Sequence, residues 1–261
     1  MNNDTATKTV LVLSYNNVGN FGDRLGYHLI NGVLPPDCAV VHGNFRPWNV
    51  PDLDYDLVVV GIGNSLFEPL LTDNLFRLLD KAKSAIGIFG TQYRHAINPE
   101  KMARVIDYLD IWYARYREDI ETYGRNKPNV QHLGDWLIDA CPMAIPTNTE
   151  VHQIGREIWK DLPLDRTIQT IQKYKRVISS RLHPLLCALT SAEQVAYTEQ
   201  PDRSGMPSGK FTSMFLDVFQ TTFPESVFFE VDTPAVIDYK LMVRNNIRQM
   251  EQQIDQLLSQ N

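Results

Sequence analysis

Val177-Ile178-Ser179-Ser180-Arg181-Leu182-His183-Pro184-Leu185-Leu186 joins a β-branched pair to two serines, an arginine, a histidine ahead of a proline, and a leucine pair. Val177 and Ile178 read as the end of a buried strand. Pro184 lacks an N–H and fits the first turn of a helix, so a helix is expected from Pro184 to Leu189. Ser179 to His183 then form the turn between the two. A helix N-terminus offers free N–H groups and the positive end of a dipole, which suits an anion. Arg181 adds a fixed charge, and His183 adds a group that trades protons near neutral pH. Strand–turn–helix units are common, however, and an arginine and a histidine beside one are more often surface or capping residues.

Outward from this unit, the same grammar repeats. Thr9 to Leu13 is apolar without alternation, as in parallel strands covered on both faces. It runs into Ser14 to Asp23, where two glycines and three asparagines permit left-handed angles and close approach to a ligand. Asp23 is expected to cap the helix that continues through Ile30, ahead of Pro35-Pro36. Asp56 to Val60 is a second strand, followed by Gly61-Ile62-Gly63-Asn64. Leu66 stands where a dinucleotide fingerprint needs its third glycine, so a tight strand-to-helix turn explains these glycines as well. Helical spacing covers Pro69 to Lys83 and Pro99 to Leu109, with strands at Ala85–Gly90 and Asp110–Arg115 and a short helix at Asp119–Gly124. This alternation predicts a parallel, doubly wound sheet, whose ligands bind beyond the carboxyl ends of the strands. Residues 16–23, 61–65, 90–95 and 115–118 fall at those ends.

Downstream, Pro142 and Pro146 mark a boundary. Helices are expected at about Glu150 to Trp159 and Asp165 to Tyr174, with no strand legible between Pro146 and Lys175. A strand at Gln194–Thr198, a long Gly/Pro/Ser-rich loop from Glu199 to Lys210, a helix at Phe211–Phe219 and a strand at Ser226–Val231 complete this half. Thr233-Pro234 opens a final helix. Its stripe of Val236, Tyr239, Val243, Ile247, Met250, Ile254 and Leu257 either packs on its own chain or pairs with a second copy. The expected fold class is α/β, with two Rossmann-like lobes built on parallel sheets. They span residues 8–145 and 146–232, the second shortened, with a long C-terminal helix over 233–261.

A chain of 261 residues that is 43% hydrophobic can bury a substantial core. The net charge of -6 argues against nucleic acid as a partner, while leaving room for a local basic cleft. Cys38, Cys141 and Cys187 show neither metal-ligand spacing nor a disulfide framework. The N-terminus lacks a signal-peptide layout, and no apolar run approaches the roughly 20 residues of a membrane span. A cytoplasmic protein is expected, with peripheral contact at the inner membrane surface left open. His28, His42, His95, His132 and His152 have no motif partners and read as surface or core residues.

The Gly19-Asn20-Phe21-Gly22-Asp23 loop, the Gly61-Ile62-Gly63 turn, the strand ending at Arg115, Gly134-Asp135, Ser180-Arg181-Leu182-His183 and Gly209-Lys210-Phe211 together resemble the polysaccharide pyruvyltransferase family. The likeness extends, with gaps, over residues 9 to 219. It implies a GT-B-like shape and transfer of an enolpyruvyl group from phosphoenolpyruvate onto sugar hydroxyls to form a pyruvate ketal in surface-polysaccharide biosynthesis. Phosphoenolpyruvate is then the donor substrate, a sugar, oligosaccharide or lipid-linked saccharide is the acceptor, and no metal or other cofactor is required. Donor contacts would come from Arg181, Arg115 or Arg117, Ser180, Lys210, Gly61, Gly63 and Asn64. His183 would supply the proton to the methylene carbon and Asp23 would accept one from a hydroxyl. Asn17, Asn20, Tyr93 and Arg94 would line the acceptor side. Two other readings stand beside this one. One is a glycosyltransferase gripping a nucleotide ribose with Glu193 or Glu199. The other is a noncatalytic scaffold that associates through its last helix.

Overall fold

The computed structural model describes residues 7–15, 19–158 and 162–260. The first half forms β1 (Thr9–Ser14), α1 (Phe21–Val33), β2 (Ala39–Asn44), β3 (Leu57–Val60), β4 (Ser65–Leu66), α2 (Asp73–Lys81), β5 (Ala85–Thr91), α3 (Pro99–Tyr108), β6 (Ile111–Ala114), a short α4 (Arg117–Asp119) and β7 (Val130–His132). The seven strands are all parallel, in the order β2-β1-β3-β5-β6-β7, with β4 beside the end of β5. The chain goes from β1 out to β2, then returns to the other side of β1 as β3. The β1/β3 boundary is therefore the topological switch point where open parallel sheets bind ligands.

Alternation within each strand feeds two cores. Val10 and Val12 pack on one face with Leu57, Val59, Ile86 and Ile88. Leu11 and Leu13 pack on the other with Val58, Val60, Phe89 and Trp112, beneath α2 and α3. Burial on both faces is why these strands read as unbroken apolar runs.

The second half forms β8 (Asn148–Ile154), α5 (Leu164–Gln172), β9 (Tyr174–Ser179), α6 (Leu182–Ala188), β10 (Gln194–Tyr197), α7 (Lys210–Phe219), β11 (Phe229–Glu230) and α8 (Thr233–Gln260). Its four-stranded sheet has the order β11-β10-β9-β8, parallel except for β11. Two expectations are corrected here. Residues 148–154 form a strand, not a helix, so the strand thought missing between Pro146 and Lys175 is present. It lies at the sheet edge with exposed positions in the middle, and so lacks the apolar run of a covered strand. Helix α6 also starts at Leu182 rather than Pro184, which places His183 inside the first turn.

Helix α8 buries Val236, Tyr239, Val243, Ile247, Met250 and Ile254 against its own chain, in the core that also holds Val10 of the first sheet and Val177 of the second. Each such side chain contributes on the order of 1.5–3 kcal/mol. Of the two roles left open for this stripe, the residues named here take the first, packing within their own chain. No helix among the described residues is long and apolar enough to cross a membrane.

Candidate functional site

The carboxyl ends of the two sheets face a common cavity of about 440 Å³. From the first sheet it receives Asn20, Gly22 and Asp23 after β1, Asn64 and Ser65 after β3, Tyr93 after β5 and Arg115 after β6. From the second it receives Glu157 after β8, Arg181 and His183 after β9, and Lys210 at the start of α7. The first turns of α1, α6 and α7 all reach the cavity. Amides in a first turn lack intrahelical partners and add to the positive potential of Arg115, Arg181 and Lys210.

Arg115 is 2% exposed. Its Nη1 donates to the Gly63 carbonyl at 2.7 Å and its Nη2 to Ser65 Oγ at 2.6 Å. Its Nε lies 3.9 Å from Asp135 Oδ2, and its guanidinium carbon sits 4.8 Å from the centre of the Tyr116 ring. Asp135 is fully buried, accepts from the Tyr116 hydroxyl at 2.8 Å, and donates its backbone N–H to Tyr239 of α8 at 2.6 Å. Gly61 and Gly63 do not line the cavity. Gly63 has φ +101°, and a side chain there would strike Trp136, whose indole N–H donates to the Ile62 carbonyl at 3.1 Å. The turn works beneath the cavity, holding Arg115 by a carbonyl.

Helix α1 is capped by Asn20, not Asp23: Asn20 Oδ1 accepts the Asp23 N–H at 3.0 Å, and Asn20 Nδ2 donates to Asp23 Oδ2 at 2.8 Å. Asp23 is 4% exposed, and burial with the nearby Glu157 charge raises its pKa to about 7. A side chain on Gly22 would lie 1.9 Å from His183 Nδ1, so α1 and the His183 ring meet with no room between them. Burial, followed by the charges of Arg115 and Lys210, pushes His183 well below its ordinary pKa, and its buried Nε2 has no hydrogen-bond partner. Lys210 donates to Gln200 Oε1, and burial lowers its pKa to about 8. Arg181 Nη1 lies 2.5 Å from Glu157 Oε1.

Besides Gly61 and Gly63, three expected residues stand apart from the cavity. Arg117 is more than half exposed, 3.9 Å from Asp217. Arg94 pairs with Asp119 at 2.7 Å and Glu118 at 3.2 Å. Ser180 Oγ donates to the Gly155 carbonyl at 3.1 Å. Asn17 lies outside the described residues. Sequence reasoning passed over Glu157, Tyr15 and Phe67, which also line the cavity, and gave Ser65 a place at a strand end but no role. It also left His95 and His132 without partners, yet each sits 2.9 Å from a carboxylate, Asp202 and Asp217 respectively. Those pairings join positions more than 80 residues apart and leave no local signal.

No protein-family model matches the chain, and no curated protein sequence matches it. Among solved structures, the chain is similar to the crystal structure of a functionally uncharacterised protein from Klebsiella pneumoniae subsp. pneumoniae. The two share 14% identity over 80% of this chain and 87% of that one, with a TM-score of 0.50. At that identity the likeness concerns the fold alone.

Proposed function

We propose that this cavity binds phosphoenolpyruvate and transfers its enolpyruvyl group to a sugar diol, in a GT-B-like arrangement of two lobes. The observation that carries the proposal is the convergence of Arg115, Arg181, Lys210 and three helix N-termini around a carboxyl that titrates near pH 7. The donor's carboxylate and phosphate need several fixed cations, and arginine offers them in bidentate geometry.

The proton assignments differ from those implied by the resemblance. Before the donor arrives His183 is neutral, whereas Asp23 is protonated in a large share of molecules at neutral pH. Asp23 therefore delivers the proton to the methylene carbon, and the enol π electrons form the new C–H bond. The adjacent carbon becomes oxocarbenium-like and is attacked by an acceptor hydroxyl, whose proton passes to His183. A second hydroxyl, passing its proton to the now ionised Asp23, then displaces phosphate, which leaves with the C–O electron pair and takes the proton held by His183, and the ketal ring closes. The cations stabilise charge on the donor throughout.

Thermal-shift titration tests the donor: phosphoenolpyruvate raises the melting temperature, while uridine and guanosine diphosphates do not. At 100 times the dissociation constant the stabilisation is about 2.7 kcal/mol. Arg181→Ala lowers donor affinity, whereas Asp23→Asn retains it within a few fold and lowers turnover by roughly 10²–10⁴. One observation favours a second reading, in which Glu157 grips a nucleotide ribose from the second sheet. A shift with a nucleotide and none with phosphoenolpyruvate selects it. Glu193 and Glu199, the residues first considered for that role, are engaged elsewhere, with Lys175 and Ser208 respectively.

A further inference from the structure

A second chamber of about 690 Å³ adjoins the first and shares Phe67, Tyr93 and Pro201 with it. An aromatic series runs from one to the other: Tyr15 and Phe67 have ring centres 6.2 Å apart, and Phe67 and Tyr93 are 6.5 Å apart, edge to face. All three rings are half-buried. Tyr93 is held at φ +53°, a conformation unfavourable for a non-glycine residue. The loop after β10 fixes it there, since the Tyr93 N–H donates to the Ser208 carbonyl at 3.0 Å and its hydroxyl to the Gln200 carbonyl at 3.2 Å. Strain at a position tied down from both sides marks a ring whose placement matters. Half-buried aromatic rings flanked by Pro201 suit the apolar faces of pyranose rings.

The charges of the outer chamber are uneven. Glu68 uses both oxygens, one on Lys101 at 2.5 Å and one on the Asn98 N–H at 2.8 Å. Asp202 uses one oxygen on His95 and the other on Ser204 and Met206. Arg46 and Arg203 line the same chamber and have no side-chain partner among the described residues. Its acids are already occupied by protein partners and its arginines are free among the described residues, so the chamber suits an anion.

We infer that the cleft takes an acceptor of at least two sugar units, the reacting unit on the aromatic series and the next unit in the outer chamber. That second unit bears a carboxylate or phosphate held by Arg46 and Arg203. The inference rests on the pyruvyl-transfer reading for the role of the inner cavity, but its test does not. The full chain, fluorescently labelled, is passed over an array of matched neutral, uronic-acid-bearing and phosphate-bearing di- to tetrasaccharides. Retention is expected on one or both acidic sets, and the set retained identifies the anion. Arg46→Ala/Arg203→Ala weakens that retention about tenfold or more, while leaving the phosphoenolpyruvate thermal shift unchanged. Equal retention of neutral glycans, retention of none, or an undiminished signal from the double variant overturns the inference. Acidic-glycan binding without a phosphoenolpyruvate shift preserves it and removes the donor assignment instead.

Discussion

Arg115 and Arg181 reach the same cavity from opposite sheets, yet they are held in different ways. Arg115 is enclosed, with a carbonyl, a hydroxyl, an aromatic face and a buried carboxylate around it. Arg181 is partly exposed and pairs with Glu157, which is equally exposed. The first-sheet wall is preorganised before any ligand arrives. On the second-sheet wall the partly exposed Arg181–Glu157 pair exchanges its protein partner for a ligand at small cost. A preorganised donor needs no reorganisation when charge develops. An exchangeable one governs entry and release.

The largest expected effect tests this contrast directly. Asp135→Ala leaves the buried Arg115 guanidinium short of its counter-charge and lowers stability by about 3–5 kcal/mol in urea unfolding. Glu157→Ala, on the exposed wall, costs less than about 1 kcal/mol. Equal losses would erase the distinction.

The two walls also titrate in opposite senses. Burial raises Asp23 from its unfolded 3.8 to about 7. Its contribution to stability is therefore complete below pH 3.8 and is lost as pH rises through about 7. Lys210 falls from 10.5 to about 8, so its contribution is lost as pH drops through that value. Asp23→Asn removes the first effect, and its stability relative to the parent should rise by a few kcal/mol between acid and mildly alkaline pH. Parallel curves from denaturant titrations would show that Asp23 ionises as an ordinary carboxyl.

The seam between the walls is the next target. Gly22→Ala drives a methyl into His183 and should cost about 1–3 kcal/mol, with loss of donor binding. Gly32→Ala in the same helix meets open space and should stabilise by about 0.4–1 kcal/mol. Chemical denaturation of both variants reads the difference. The smallest effect belongs to Arg117→Ala, expected within about 0.5 kcal/mol of the parent, with the donor thermal shift unchanged. A lost shift would move the donor contact from Arg115 to Arg117.

What was legible in the sequence follows burial. β1, β3 and β5 are covered on both faces, and their unbroken apolar runs announced them. Of the strands that escaped notice, β2, β7 and β8 lie at sheet edges, where exposed or half-exposed positions break the run, and β4 is only two residues long. Arg181 and His183 were legible from their strand–turn–helix unit and Arg115 from its place at a strand end, whereas Lys210 entered only through the family resemblance. Asp23 was legible as a residue but not as a titrating group. Its pKa comes from burial under the second sheet and from Glu157, more than 130 residues away, and no local pattern encodes that.

Helix α8 sets the order in which this chain is completed. It follows both sheets in the chain, yet its Tyr239 receives the Asp135 N–H behind Arg115, and Tyr113 of β6 donates to its Gln253. One face of the first sheet therefore lacks this cover until α8 has been made, although domains ordinarily mature from the N-terminus as they emerge. Until then the nascent chain carries an exposed apolar face, a state that invites chaperone engagement. A chain truncated before residue 233 keeps that face open and loses the Tyr239 contact behind Arg115, so a drop in stability and in donor binding together is expected.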